Sequence, residues 1–112
     1  MRMLSIMKTI IRRREMDIRK PTHPGEVLYE DVLKPLKISI SEAAKNLEIS
    51  KKTLSEIING KCSLTPEMAM RIAFATGTSP ESWINMQTKL DLWKIRSLDN
   101  IHVSKFKEVV TA

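Results

Sequence analysis

Ser39-Ile-Ser-Glu-Ala-Ala-Lys-Asn-Leu47, then Glu48-Ile-Ser50, then Lys51-Lys-Thr-Leu-Ser-Glu-Ile-Ile-Asn59 and Gly60: these 22 residues carry two helix starts and one helix stop. Ser39 with Glu42 three residues on forms a capping box. Ile40, Ala43, Ala44 and Leu47 follow at helical spacing, for a helix of about eight residues. Glu48-Ile49-Ser50 is the connector, and Ser50 is the cap of the next helix. That helix, Lys51 to Asn59, has Leu54, Ile57 and Ile58 on one face, and Gly60 stands where a left-handed residue ends a helix.

The same punctuation extends outward in both directions. Pro24 suits a first helical turn, where its missing N–H costs nothing. Val27, Leu28, Val32 and Leu33 then share a face, and Pro35 is expected to end that helix. Downstream, Thr65-Pro66-Glu67 starts a fourth helix with Met68, Ala69, Ile72 and Ala73 inward and a stop at Gly77. Ser79-Pro80-Glu81 starts a fifth, which places Trp83, Met86, Leu90 and Trp93 on one stripe and runs to about Arg96. No strand signal is long enough to build a sheet. The body is all-α, five helices over roughly 24–96. Residues 98–112 read as a mobile tail or a dimer-exchanging arm, with Ile101-His-Val103 alternating and Phe106 and Val109-Val110 beyond.

At 112 residues the chain has room for one ordinary domain. Charged residues are 29% and hydrophobic residues 42%, a globular composition, and the apolar runs are too short to span a bilayer. Residues 1–15 make a poor signal peptide. The lone Cys62 excludes an internal disulfide and a cysteine-based zinc site, so the expected address is cytoplasmic. The net charge of +6 calls for an acidic partner, but +4 of it lies in residues 1–15 and only +2 in the rest. That leader is either disordered or an over-extended start, since Met1, Met3, Met7 and Met16 each offer an initiation point. The expected division is a basic leader at 1–18, a helical domain at 19–97 and a tail or dimer arm at 98–112.

Two short helices joined by about three residues, the second opening with a polar run, describe a helix-turn-helix. Ala43 and Ala44 are small enough for the pair to pack closely, and Ile49, Leu54 and Ile57 hold the second helix to the body. Its polar end would enter the major groove of double-stranded DNA. Lys51 and Lys52 can donate to guanine O6 and N7 or to phosphate, and Ser50, Thr53 and Ser55 to phosphate or a base edge. Glu56 can accept from cytosine N4 or brace a neighbouring lysine, and Asn59 and Lys61 are placed for backbone contacts. A bare lysine pair is usually a solvated face; its position at the opening of this helix favours the DNA reading.

Several ordered motifs then resemble one family. They are Arg19-Lys-Pro-Thr-His-Pro-Gly-Glu-Val-Leu28, Ser50 through Lys61, Leu64-Thr-Pro-Glu-Met-Ala-Met-Arg-Ile-Ala73, Ser79-Pro-Glu-Ser-Trp-Ile-Asn-Met-Gln87 and Asp91-Leu-Trp93. Together they resemble the HigA-type antitoxins of the Xre/Cro-like (lambda-repressor-like) helix-turn-helix family, over about residues 19–95. The resemblance implies an antitoxin that neutralises a HigB-like mRNA interferase toxin and represses its own operon as a homodimer, with the last helix in the dimer. Composition and spacing alone stop at a small DNA-binding repressor. One position departs: Xre-type domains often carry Gln as a phosphate contact where this chain has Ile40.

Trp83, Met86, Leu90 and Trp93 are read as core or dimer packing rather than a base-stacking platform. His23 and His102 have no partner at metal-ligand spacing, so neither a metal nor any other cofactor is expected. Cys62 lacks an orienting His nearby, and no phosphate-cradling Gly loop is present, so an enzyme is not expected. Glu26, Glu30 and Asp31 form either a solvated face or a surface for a basic toxin. The alternative to a repressor is a protein-interaction antitoxin or adaptor whose helix-turn-helix has little sequence-specific DNA binding; Ile40 and the modest +2 favour it.

Overall fold

The computed structural model describes residues 19–98 and 100–107. The expected leader over 1–18 lies outside them, as do Val109 and Val110 of the tail. Among the described residues there are five helices and no strand, so the all-α expectation holds.

The first helix, α1, is continuous through Pro24–Val27, a π-helical stretch Leu28–Leu33 and Lys34–Leu36. His23 is its N-cap, with Nδ1 accepting from the Gly25 N–H at 2.9 Å. The expectation that Pro35 ends this helix is corrected: the helix runs through Pro35 and stops at Lys37, which is left-handed at φ 57°. The reason is the π-helical stretch just before it. There the Lys34 N–H reaches back to the Tyr29 carbonyl, and this wider turn relieves the crowding between a proline ring and the preceding carbonyls.

Helix α2 spans Ile40–Leu47, with Ser39 Oγ accepting from the Glu42 N–H at 3.1 Å. It ends at left-handed Glu48, where the Ile49 N–H returns to the Ala44 carbonyl at 3.0 Å. Helix α3 spans Lys51–Ile58, so Asn59 is its cap rather than its last residue, and Gly60 at φ 72° turns the chain away. Helix α4 spans Pro66–Thr76 between a Thr65 cap and Gly77 at φ 73°. Helix α5 spans Pro80–Leu98. It outruns the expected end near Arg96 because Arg96-Ser-Leu98 contains no helix breaker.

The core is shared by all five helices: Leu28 and Leu33 from α1, Ala43, Ala44 and Leu47 from α2, Leu54 and Ile57 from α3, Met68, Ala69, Ile72 and Ala73 from α4, and Trp83 and Leu90 from α5. Leu64, in the loop before α4, is buried with them. Each large aliphatic side chain so enclosed contributes about 1.5–3 kcal/mol. Val27, Val32, Ile40, Ile49 and Ile58 are half-buried and pack against this core. No helix among the described residues is long and apolar enough to cross a membrane.

Candidate nucleic-acid interface

The turn between α2 and α3 determines where α3 points, and several contacts fix it. Arg71 of α4 donates from Nη1 to the Leu47 carbonyl at 2.9 Å. Its Nε and Nη2 donate to Glu67 Oε2 at 3.2 and 3.1 Å. The guanidinium therefore ties the C-terminal carbonyl of α2 to the outer face of α4, where a cation is favoured by the helix dipole. At the far end of α3, Gly25 lies so close to α3 that a Cβ there would meet the carbonyl group of Ile57. His23 Nε2 donates to the Cys62 carbonyl at 3.0 Å while Nδ1 accepts from Gly25. Those two bonds fix the neutral Nε2–H tautomer and staple the start of α1 to the loop after α3. Beyond capping α1, His23 thus has a second role that only the fold supplies.

Helix α3 is held by Leu54 and Ile57, both buried. At roughly 100° per residue, the face opposite them is formed by Lys52, Ser55, Glu56 and Asn59, with Lys51 and Thr53 at its two edges. Lys51 and Lys52 are exposed at the N-terminal end, and among the described residues neither has an ion-pair partner. Lys61 is exposed just past Gly60. Ser50 and Thr53 differ from these. Ser50 Oγ accepts from the Thr53 N–H at 3.0 Å and donates to Thr53 Oγ1 at 2.7 Å. Its hydroxyl proton is already engaged, so Ser50 acts first as the cap of α3. Asn59 Nδ2 donates to Ser55 Oγ at 3.3 Å, which aligns two polar groups along the outer face.

Ile40 is half-buried against the core, which leaves an apolar side chain where the start of α2 would otherwise offer a polar one. Cys62 is exposed, and its thiol is pushed above its ordinary pKa by partial desolvation and by the Glu56 carboxylate, the opposite of an activated nucleophile. Among the described residues, no cluster of three or more His, Cys, Asp or Glu is placed to hold a metal. Glu30 accepts from Lys34 Nζ at 3.1 Å, and that contact raises the Lys34 pKa; both groups are well exposed. Glu26 and Asp31 remain as unpaired acids on α1 among the described residues.

On the last helix, Trp83 and Leu90 are buried in the core, whereas Met86 and Trp93 are half-buried. Trp83 Nε1 donates to Thr78 Oγ1 at 2.7 Å. Gln87, buried between them, accepts from the Leu64 N–H at 2.7 Å and donates to Asp91 at 2.9 Å. Sequence reasoning passed over Gln87 and Arg71. The Glu67–Arg71 pair is visible as an i, i+4 spacing, but the reach of Arg71 to Leu47 and of Gln87 to Leu64 exists only after folding.

The architecture is that of a helix-turn-helix protein, and the helix-turn-helix family profile HTH_3 matches residues 30–83. The chain is 44% identical over 80 residues to an HTH-type transcriptional regulator of Haemophilus influenzae, covering 71% of this chain and 75% of that one. It belongs to this Xre-like helix-turn-helix family of regulators, whose function is DNA binding rather than catalysis. Within the family its likeness reaches the antitoxins: it is 37% identical over 79 residues to antitoxin HigA-1 of Vibrio cholerae, covering 70% of this chain and 74% of that protein. Among solved structures, Pseudomonas aeruginosa antitoxin HigA with the higBA promoter superposes with a TM-score of 0.69 at 29% identity, over 71% of this chain and 87% of that one. The resemblance to HigA-type antitoxins read from the motifs is thereby confirmed.

Proposed function

We propose that this protein is an antitoxin and transcriptional autorepressor that binds its own operator as a homodimer through α3 and neutralises a HigB-like toxin in the cytoplasm. The observation that carries the DNA part is the outward row of exposed Lys52 and Asn59 and half-buried Ser55 and Glu56, on a helix fixed from behind by Leu54 and Ile57 and at its ends by Arg71, Gly25 and His23. A rigid helix with hydrogen-bond donors and an acceptor along its outer face is what direct readout of a major groove requires. The likeness to a HigA solved with the higBA promoter supports the same role.

In this reading Lys52, Ser55, Glu56 and Asn59 face base edges, while Lys51, Thr53 and Lys61 meet phosphates and Ser50 orders the first turn of α3. Residues 19–97 form the working domain, 1–18 a basic leader and 98–112 an arm for the dimer. Two copies are needed because operator half-sites are read by two symmetric helices. The acidic groups Glu26, Glu30 and Asp31 on α1 present a surface of the right sign for a toxin that handles RNA.

The test is binding of the purified protein to the DNA just upstream of its gene, against scrambled DNA, with Lys52→Ala alongside. Preference for the upstream sequence is expected, with a loss of about 1–3 kcal/mol in the variant confined to specific DNA. Equal binding to both DNAs would instead favour the protein-interaction reading, for which the apolar Ile40 at the start of α2 is the supporting observation.

A further inference from the structure

Helix α5 is buried only as far as Leu90 and half-buried at Trp93; Lys94 to Leu98 are exposed, so its last turns stand clear of the body. Leu92 just before that overhang and Ile95 and Leu98 on it are exposed, and Ile101, Val103 and Phe106 beyond it are 63%, 84% and 86% exposed. The described residues 100–107 are exposed throughout and form no regular element. Soluble proteins expose single apolar residues freely, but a run of six along one arm needs cover.

The body offers a matching vacancy. A groove of about 440 Å³ opens between the C-terminal half of α1, α2 and α4, lined mainly by apolar groups including Val32, Leu33, Leu36, Ile38, Leu47 and Ala75. Leu36 at its lip is 64% exposed. Asp31 also lines the groove and has no ion-pair partner among the described residues. The arm, in turn, carries Lys105 and Lys107 among its apolar residues, opposite in charge to Asp31.

We infer that the segment Ile101–Phe106 of one copy seats in the α1–α2–α4 groove of a second copy. This inference rests on the dimer reading above and specifies what each copy gives the other. The arm is launched from the overhanging end of α5, away from its own body, which makes a second copy the natural recipient. Val103 and Phe106 fill the apolar groove and Lys105 pairs with Asp31. The exchange links the two bodies and thereby sets the spacing between the two α3 helices.

Cysteine pairing tests this in a Cys62→Ser background, where no other thiol interferes. Leu36→Cys protein is mixed in turn with Ile101→Cys, Val103→Cys or Phe106→Cys protein and oxidised. At least one mixture is expected to give a covalent dimer containing one copy of each variant. In parallel, sedimentation equilibrium should show the dimer dissociation constant rising at least tenfold when the chain is cut after Leu98, and by a similar factor in Leu36→Lys. Because residues 100–107 contribute nothing to the core, the truncated chain keeps its helical signal. A dimer that persists unchanged after truncation and never links Leu36→Cys to the arm overturns the exchange while leaving the dimer intact. Arm variants that link only to themselves would show tail pairing with tail, and a double variant that links within one chain would show the arm covering its own groove; either overturns the proposal. A chain that is monomeric at every concentration overturns the exchange and the dimer together.

Discussion

Gly25 is the residue at which the smallest change has the largest expected effect. Any Cβ there runs into the Ile57 carbonyl group, which is backbone and cannot step aside like a side chain. Gly25→Ala should therefore destabilise the fold by about 1–3 kcal/mol, as overpacking does, and lower the thermal midpoint by several degrees. Because Ile57 belongs to α3, the same variant should also weaken operator binding. A thermal melt by circular dichroism that matches the parent would sink this account. Cys62 gives a second prediction at this scale. Partial desolvation, reinforced by the Glu56 carboxylate, raises its pKa. A raised pKa means less thiolate at pH 8, so iodoacetamide should alkylate Cys62 more slowly than a free thiol. Glu56→Gln removes the repelling charge, lowers the pKa and should speed the reaction; an unchanged rate would remove Glu56 from the explanation.

At the scale of elements, the two helices before the reading helix both end on a side-chain-bearing left-handed residue: Lys37 at φ 57° closes α1 and Glu48 at φ 58° closes α2. That conformation costs an L-residue roughly 1–2 kcal/mol, part of which glycine would return in exchange for a freer unfolded chain. Lys37→Gly and Glu48→Gly should each stabilise by up to about 1 kcal/mol in urea titration. The second deserves a DNA measurement too, because Glu48 opens the turn that aims α3 and Arg71 holds the carbonyl next to it. An unaltered affinity would mean that Arg71 and the core, rather than the turn itself, set the angle of α3. The caps on α2, α3, α4 and α5 were legible because each rests on a side chain three residues from the N–H it accepts. The path of α1 through Pro35 was not, since a proline normally ends a helix and the preceding π-helical turn leaves no mark in the sequence.

For the whole molecule, the net charge of +6 is a statement about association rather than fold. If Lys51 and Lys61 neutralise phosphates, each alanine substitution should weaken binding to specific and random DNA alike. Each should also reduce the slope of log affinity against log salt by about 1. Filter binding at several salt concentrations reads that slope, and a slope identical to the parent's would take the substituted lysine off the phosphate backbone. The contrast with Lys52, whose loss is expected only on specific DNA, separates a reader from the phosphate contacts on and just past the same helix.

The number of helices, nearly all their starts and stops, the short spacing of α2 and α3 and the polar run that opens α3 are all legible in the chain before it folds. These are local matters, decided by capping side chains, glycines and periodicity within a few residues of one another. How that run is presented depends instead on packing between distant helices. Packing of Leu54 and Ile57 selects Lys52, Ser55, Glu56 and Asn59 as the outward row, and the Ser50 hydroxyl proves to be engaged by Thr53. Arg71 on Leu47, Gln87 on Leu64 and His23 on Cys62 join residues 24, 23 and 39 positions apart. No local pattern encodes such partners, because their meeting depends on where the whole core brings the helices to rest.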